Sequence, residues 1–171
     1  MSDFFVAGSW RNHDAIEEVL RVLDEVDASV YSFVRVGYSE AAAALATPGG
    51  ADKASLDSPA VRDLFQQDLE ALCGADRFLL VLPAGQAAHI EAGIAYGLGK
   101  PCYAVGPVER SETLYRIFDD MFAEPGDLRR WLVETHTAQA HGCGERIVAR
   151  MTGRSDSPQT TDEVIALLRE D

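Results

Sequence analysis

The residues best suited to chemistry lie in the run Gln86-Ala87-Ala88-His89-Ile90-Glu91-Ala92-Gly93-Ile94-Ala95-Tyr96-Gly97-Leu98. Read as a helix at ~100° per residue, it places Ala87, Ala88, Ile94, Ala95 and Leu98 within roughly 60° of Glu91, at the centre of an apolar stripe. Burying a lone carboxylate is costly, so Glu91 must be paired with a buried arginine, be protonated, or face a hollow where a ligand meets it. Ala87, Ala88, Ala92 and Gly93 leave little bulk beside it, enough room for a flat ring or a sugar. His89 falls on the opposite face, where solvent is expected.

Two other places carry reactive or ligand-holding side chains. In Gly8-Ser9-Trp10-Arg11-Asn12, a glycine lets the backbone approach a ligand, a helix start offers free N–H groups, and Arg11 can fork a phosphate or carboxylate. A tight turn with a surface arginine fits the same residues, and Trp10 suits either packing or base stacking. Asp76, ahead of the apolar run Arg77 to Leu82, is either a turn residue or a substrate contact. Cys73, Cys102 and Cys143 form no CxxC pattern, and Cys143 with His136 and His141 shares no helical face, so reduced thiols and no metal site are expected.

These residues need strands and helices to position them. Phe4 to Gly8, Val30 to Val36, Arg77 to Leu82 and Cys102 to Gly106 read as buried strands, with a short edge strand at Met121 to Ala123. Helices are expected from Asn12 or Asp14 through Leu23, from Ser58-Pro59 through Leu72, and from Gln86 to Leu98, where Gly99-Lys100-Pro101 ends the last. Glu112 to Asp120 looks helical, and Pro125-Gly126-Asp127 opens a long helix reaching about Met151. Ala41 to Leu56 reads as a loop or lid, and Gly153 to Thr161 as a polar linker before a final helix, Asp162 to Leu168. The alternation predicts an α/β fold, a three-layer α/β/α sandwich around a parallel, flavodoxin-like sheet of about five strands, over residues 1–152. Its ligand is expected beyond the carboxyl ends of the strands.

The chain of 171 residues carries a formal net charge of -13, which argues against a nucleic-acid polymer and for a small-molecule partner. No stretch reaches the ~18 apolar residues of a membrane span, and nothing signal-like opens the chain, so a cytoplasmic location is expected.

Four pieces resemble the nucleoside 2-deoxyribosyltransferase-like family, which includes deoxynucleoside 5'-monophosphate N-glycosidases. They are Val6 to Asn12, the helix ending Asp68-Leu69-Glu70-Ala71-Leu72, Ala75-Asp76 with its strand to Pro83, and His89-Ile90-Glu91-Ala92-Gly93 through Gly99-Lys100-Pro101. The resemblance implies that Glu91 attacks C1' of a nucleoside or nucleotide and that Asp76 protonates or orients the departing base. It also implies substrate contacts from Gly8, Ser9, Trp10 and Arg11 and from the turn at Gly85 and Gln86. At Pro83-Ala84-Gly85-Gln86 the chain departs from the family, which usually has a serine there. No cofactor is implied. A homodimer or larger homo-oligomer is, and the helix after Leu128 and Trp131 could supply its surface or simply pack on its own sheet. An oxocarbenium-like transition state needs one carboxylate at the anomeric carbon and help for the leaving group, which suits this reading. Two rivals are a NAD glycohydrolase resembling TIR domains and a non-catalytic nucleotide-binding module.

Overall fold

The central strands are apolar on both sides because both faces of the sheet are covered. In β1 (Ser2–Ala7), Phe4 and Val6 face one layer while Phe5 and Ala7 face the other. In β3 (Ala75–Val81), Leu79 and Val81 point to the first layer and Phe78 and Leu80 to the second. Alternation thus survives inside a continuous hydrophobic run, as in parallel sheets.

The structure, a computed structural model, describes residues 2–36, 55–108 and 112–135. The chain divides into two units, Met1–Leu132 and Val133–Asp171. The sheet and its covering helices belong to the first; of the second, only the helical residues 133–135 are described. His136, His141, Cys143, residues 41–54 of the predicted loop, and the C-terminal linker and helix lie outside the described residues.

Five parallel strands run in the order β2-β1-β3-β4-β5, with β2 at Val30–Ser32, β4 at Cys102–Val105 and β5 at Asp120–Phe122. This is the three-layer, flavodoxin-like arrangement that strand-helix alternation predicts. Helix α1 (His13–Asp24) buries Ile16, Val19, Leu20 and Leu23 against the first face, joined by Leu128 and Leu132 of the helix α4, over 125–132 in this unit. Helices α2 (Pro59–Gly74) and α3 (Gln86–Gly97) cover the second. Ser58 caps α2 by accepting from the Val61 amide, with Pro59 in its first turn. Lys100, just beyond α3, donates from Nζ to the carbonyls of Cys73 and Ala75, placing a cation where α2 ends and β3 begins.

Two elements are shorter than predicted. The second strand stops at Ser32, because the amides of Arg35 and Val36 turn back to the Ser32 carbonyl and Arg35 forks the Asp24 carboxylate. The segment Glu112 to Asp120 holds only a 3-10 turn, Thr113–Ile117, and β5 starts at Asp120.

Gly8 follows β1 where α1 packs closest. A Cβ built there would stand 2.7 Å from Ile16 Cδ1 and 3.0 Å from Ile16 Cγ1, and Ile16 is fully buried. Gly8→Ala is therefore expected to cost about 1–3 kcal/mol through overpacking. Chemical denaturation checks this, and Ile16→Val, which removes Cδ1, should recover part of the loss.

Candidate active site

Helix α3 can lie close to the sheet because its inward residues are small. Ala88, Ala92 and Ala95 are buried, beside Ala7 and Ala104 of the strands. Ala87 and Leu98 are exposed, so Glu91 sits at the edge of the buried stripe rather than at its centre. That edge faces α2. Glu91 is mostly enclosed, with part of its surface still open.

The neighbour across the gap is Asp68 of α2. Burial, then the negative charge of Asp68, push the Glu91 carboxyl from its ordinary 4.5 up to about 8. Asp68 is also raised by burial, and a hydrogen bond from Tyr31 pulls it back. The Tyr31 hydroxyl donates to Asp68 Oδ1 at 2.7 Å. Among the described residues, no arginine or lysine is paired with Glu91 or Asp68. The buried-arginine alternative therefore fails within that set, where the groups that bear on the two carboxyls are each other and the Tyr31 phenol.

Asp76 is elsewhere. It lies at the amino end of β3, exposed, next to Ala75, which pairs with Ser2 at the start of β1. The groups that act on Glu91 are its burial and Asp68, and Asp76 is not among them. Asp68, the carboxylate that does approach, carried a legible signal. At ~100° per residue it falls within about 60° of Val61, Leu64, Phe65 and Leu72, the same anomaly that singles out Glu91.

The remaining site residues gather at the carboxyl ends of β1 and β3. Asn12 Nδ2 donates to the Pro83 carbonyl at 3.3 Å and ties these two exits together. Ser9 caps the 3-10 turn Trp10–Asn12 by accepting from the Arg11 amide, and the Arg11 side chain is exposed. Trp10 meets Phe33 edge-on with ring centroids 4.6 Å apart, which is packing. Gly85 is the N-cap of α3 and Gln86 its first residue, both exposed, and no side chain caps the helix start. The amides of that first turn thus point out at the sheet's ligand-binding end.

His89 is not simply solvated. Its Nδ1 meets the Gly85 carbonyl at 2.8 Å, its Nε2 meets the Tyr115 hydroxyl at 3.1 Å, and the two rings stack. A cavity of about 320 Å³ lined by Leu82, Pro83, His89, Pro107, Val108 and Tyr115 opens on that side of α3. Glu91, ~200° around the helix from His89, is not part of it. Among the described residues, no three His, Cys, Asp or Glu side chains cluster as a metal site, and no helix is long and apolar enough to cross a membrane.

No protein-family model and no curated protein sequence matches the chain. Its fold is similar to that of a 2-deoxyribosyltransferase from the psychrotolerant bacterium Bacillus psychrosaccharolyticus. The TM-score is 0.55 at 19% identity, over 74% of this chain and 89% of that one. A CMP N-glycosidase from Clostridium botulinum matches with a TM-score of 0.49 at 16% identity, over 75% of this chain and 96% of that one. At this identity the first likeness establishes a shared fold.

The Glu91 carboxyl gives a test of its surroundings. Between pH 4.5 and about 8 the folded state holds a proton that the unfolded state releases, so stability falls as pH rises through that window. Glu91→Gln, neutral at every pH, is expected to unfold at a higher temperature than the parent above pH 8, by roughly 2–4 °C per kcal/mol recovered. The gap should close towards pH 4.5. Thermal unfolding of both proteins across this range checks it, and a pH-independent gap would contradict the assigned burial.

Proposed function

We propose that the chain cleaves or transfers the N-glycosidic bond of a nucleoside or nucleotide, with Glu91 as nucleophile and Asp68 as the group that protonates the departing base. The observation that carries this reading is the pair itself: two carboxylates on facing helices, unpaired with any described cation, one enclosed but still reachable. The Bacillus deoxyribosyltransferase supports it by sharing the fold.

The pair needs one proton in total. With two, Glu91 is neutral and cannot attack. With none, the leaving base receives no proton. Burial and the charge of Asp68 make Glu91 the later of the two to ionise, so the resting proton sits there. Moving it to Asp68 yields the attacking form without changing the total. The Glu91 oxygen then bonds to C1' as the bond to the base nitrogen breaks, and that nitrogen takes the Asp68 proton. In the second half, water or an acceptor base attacks C1', its proton passes to Asp68, and Glu91 leaves as a carboxylate.

Arg11, Ser9 and the uncapped start of α3 at Gly85 and Gln86 form the polar end of this site, where a sugar hydroxyl or a 5'-phosphate binds. Gly8 and Trp10 shape it by packing.

Incubation with a panel of nucleosides, deoxynucleotides and NAD, followed by chromatography for free base, tests the reading. Release of base from nucleosides or deoxynucleotides supports it, and release from NAD alone reassigns the chain to NAD cleavage. Glu91→Gln is expected to abolish turnover while sparing binding. Asp68→Asn should lower kcat by about 10²–10⁴-fold, whereas Asp76→Asn should change it little. The rate should also fall above about pH 8, as the pair loses its last proton.

A further inference from the structure

Three strands contribute one aromatic row on the face covered by α2 and α3. Phe5 of β1 stands in register with Tyr31 of β2 and with Phe78 of β3. The Phe5 and Tyr31 rings stack with centroids 5.2 Å apart and planes 18° apart, and Phe5 and Phe78 stack at 5.9 Å and 15°. A tyrosine ring held this way has little freedom left, so its hydroxyl has a place set by the sheet. That place is 2.7 Å from Asp68 Oδ1. Phe5 and Phe78 present no polar atom, so Tyr31 is the member of the row that reaches the carboxylate.

We infer that Tyr31 is a positioning residue for glycosidic bond cleavage: its phenol donates to Asp68, fixing that carboxylate opposite Glu91 and stabilising the anion left when Asp68 gives its proton to the base. This rests on Asp68 being the proton donor of the proposed function. In the first half-reaction the C1'–N electron pair goes to the base nitrogen and the Asp68 proton follows it. Tyr31 keeps its own proton throughout and answers the new charge with a charge-assisted hydrogen bond. In the second half the attacking water or base returns a proton to Asp68. Because the donor is in place before charge develops, little reorganisation accompanies the transfer.

Few other groups among the described residues could answer that charge. Among the described residues, the titratable groups found against Asp68 are Tyr31 from β2 and Glu91 from α3. On its own helix, Glu70 is exposed and accepts from Gln66 at 2.6 Å, and at the helix end Lys100 is engaged by carbonyls.

Tyr31→Phe keeps the ring and its stack and removes only the oxygen. It is expected to lower kcat by about tenfold to a hundredfold, as for loss of a hydrogen bond to a charged group, with KM nearly unchanged. Asp68 should then hold its proton to higher pH, so the acid limb of the rate profile moves upward while the fall near pH 8 stays in place. A structural role alone would lower stability without moving that limb. Titration of the Asp68 carboxyl by carbon NMR in both proteins reads the same coupling without turnover. Turnover with an unmoved acid limb, or an unmoved Asp68 titration, overturns the inference and leaves the proposed function standing. No released base from any member of the panel with the parent protein overturns both.

Discussion

Two acidic side chains, Glu91 and Asp68, face each other from neighbouring helices without a described cation between them. Largely enclosed as they are, both cannot be ionised cheaply. The fold accommodates them by leaving a proton on Glu91 and by turning the Tyr31 hydroxyl toward Asp68. Such an arrangement lowers stability near neutral pH, a cost of the kind scaffolds bear at functional sites.

The scaffold absorbs that cost through strong packing elsewhere. Strands buried on both faces supply a continuous core, with Phe4, Phe78, Leu79 and Leu80 fully enclosed. Alanines on α3 let that helix lie near the sheet, so Glu91 comes within electrostatic reach of α2 instead of standing in solvent. Lys100 and Asn12 then act as ties at opposite ends of the layer. One closes the α2 exit against β3, and the other joins the loop after β1 to the loop after β3. The carboxylate pair is thus held by regular elements, while the exposed polar groups after β1 and β3 sit on the turns above them.

Much of this was legible from the chain. Apolar runs separated by helical periods determine a parallel α/β sandwich, and a carboxylate on an apolar stripe marks Glu91. Asp68 bears the same mark, yet on α2 it is diluted by Phe65, Gln66 and Glu70 on the exposed surface, so its helix reads as ordinary. It is the family resemblance that makes Asp76 the partner, since by position alone it reads equally as a turn residue. Asp76 enters β3 instead of leaving it, exposed at the end away from the turns that follow β1 and β3. The length of β2 was also beyond local reading, because a distant ion pair between Arg35 and Asp24 and the turn at Ser32 decide where it stops.

Periodicity therefore determined by itself the layers, the order of strands and helices along the chain, the absence of a long apolar span and the anomaly at Glu91. These follow from which residues tolerate water. Which acid meets Glu91, and which hydroxyl meets that acid, was decided only in three dimensions. Asp68 lies 23 residues before Glu91 and Tyr31 lies 37 before Asp68, and no spacing rule links them. They meet because β2, β1 and β3 align Tyr31, Phe5 and Phe78 in one row and α2 and α3 cover it side by side. Hydrophobic pattern says which face of an element is buried, and packing alone says what it is buried against.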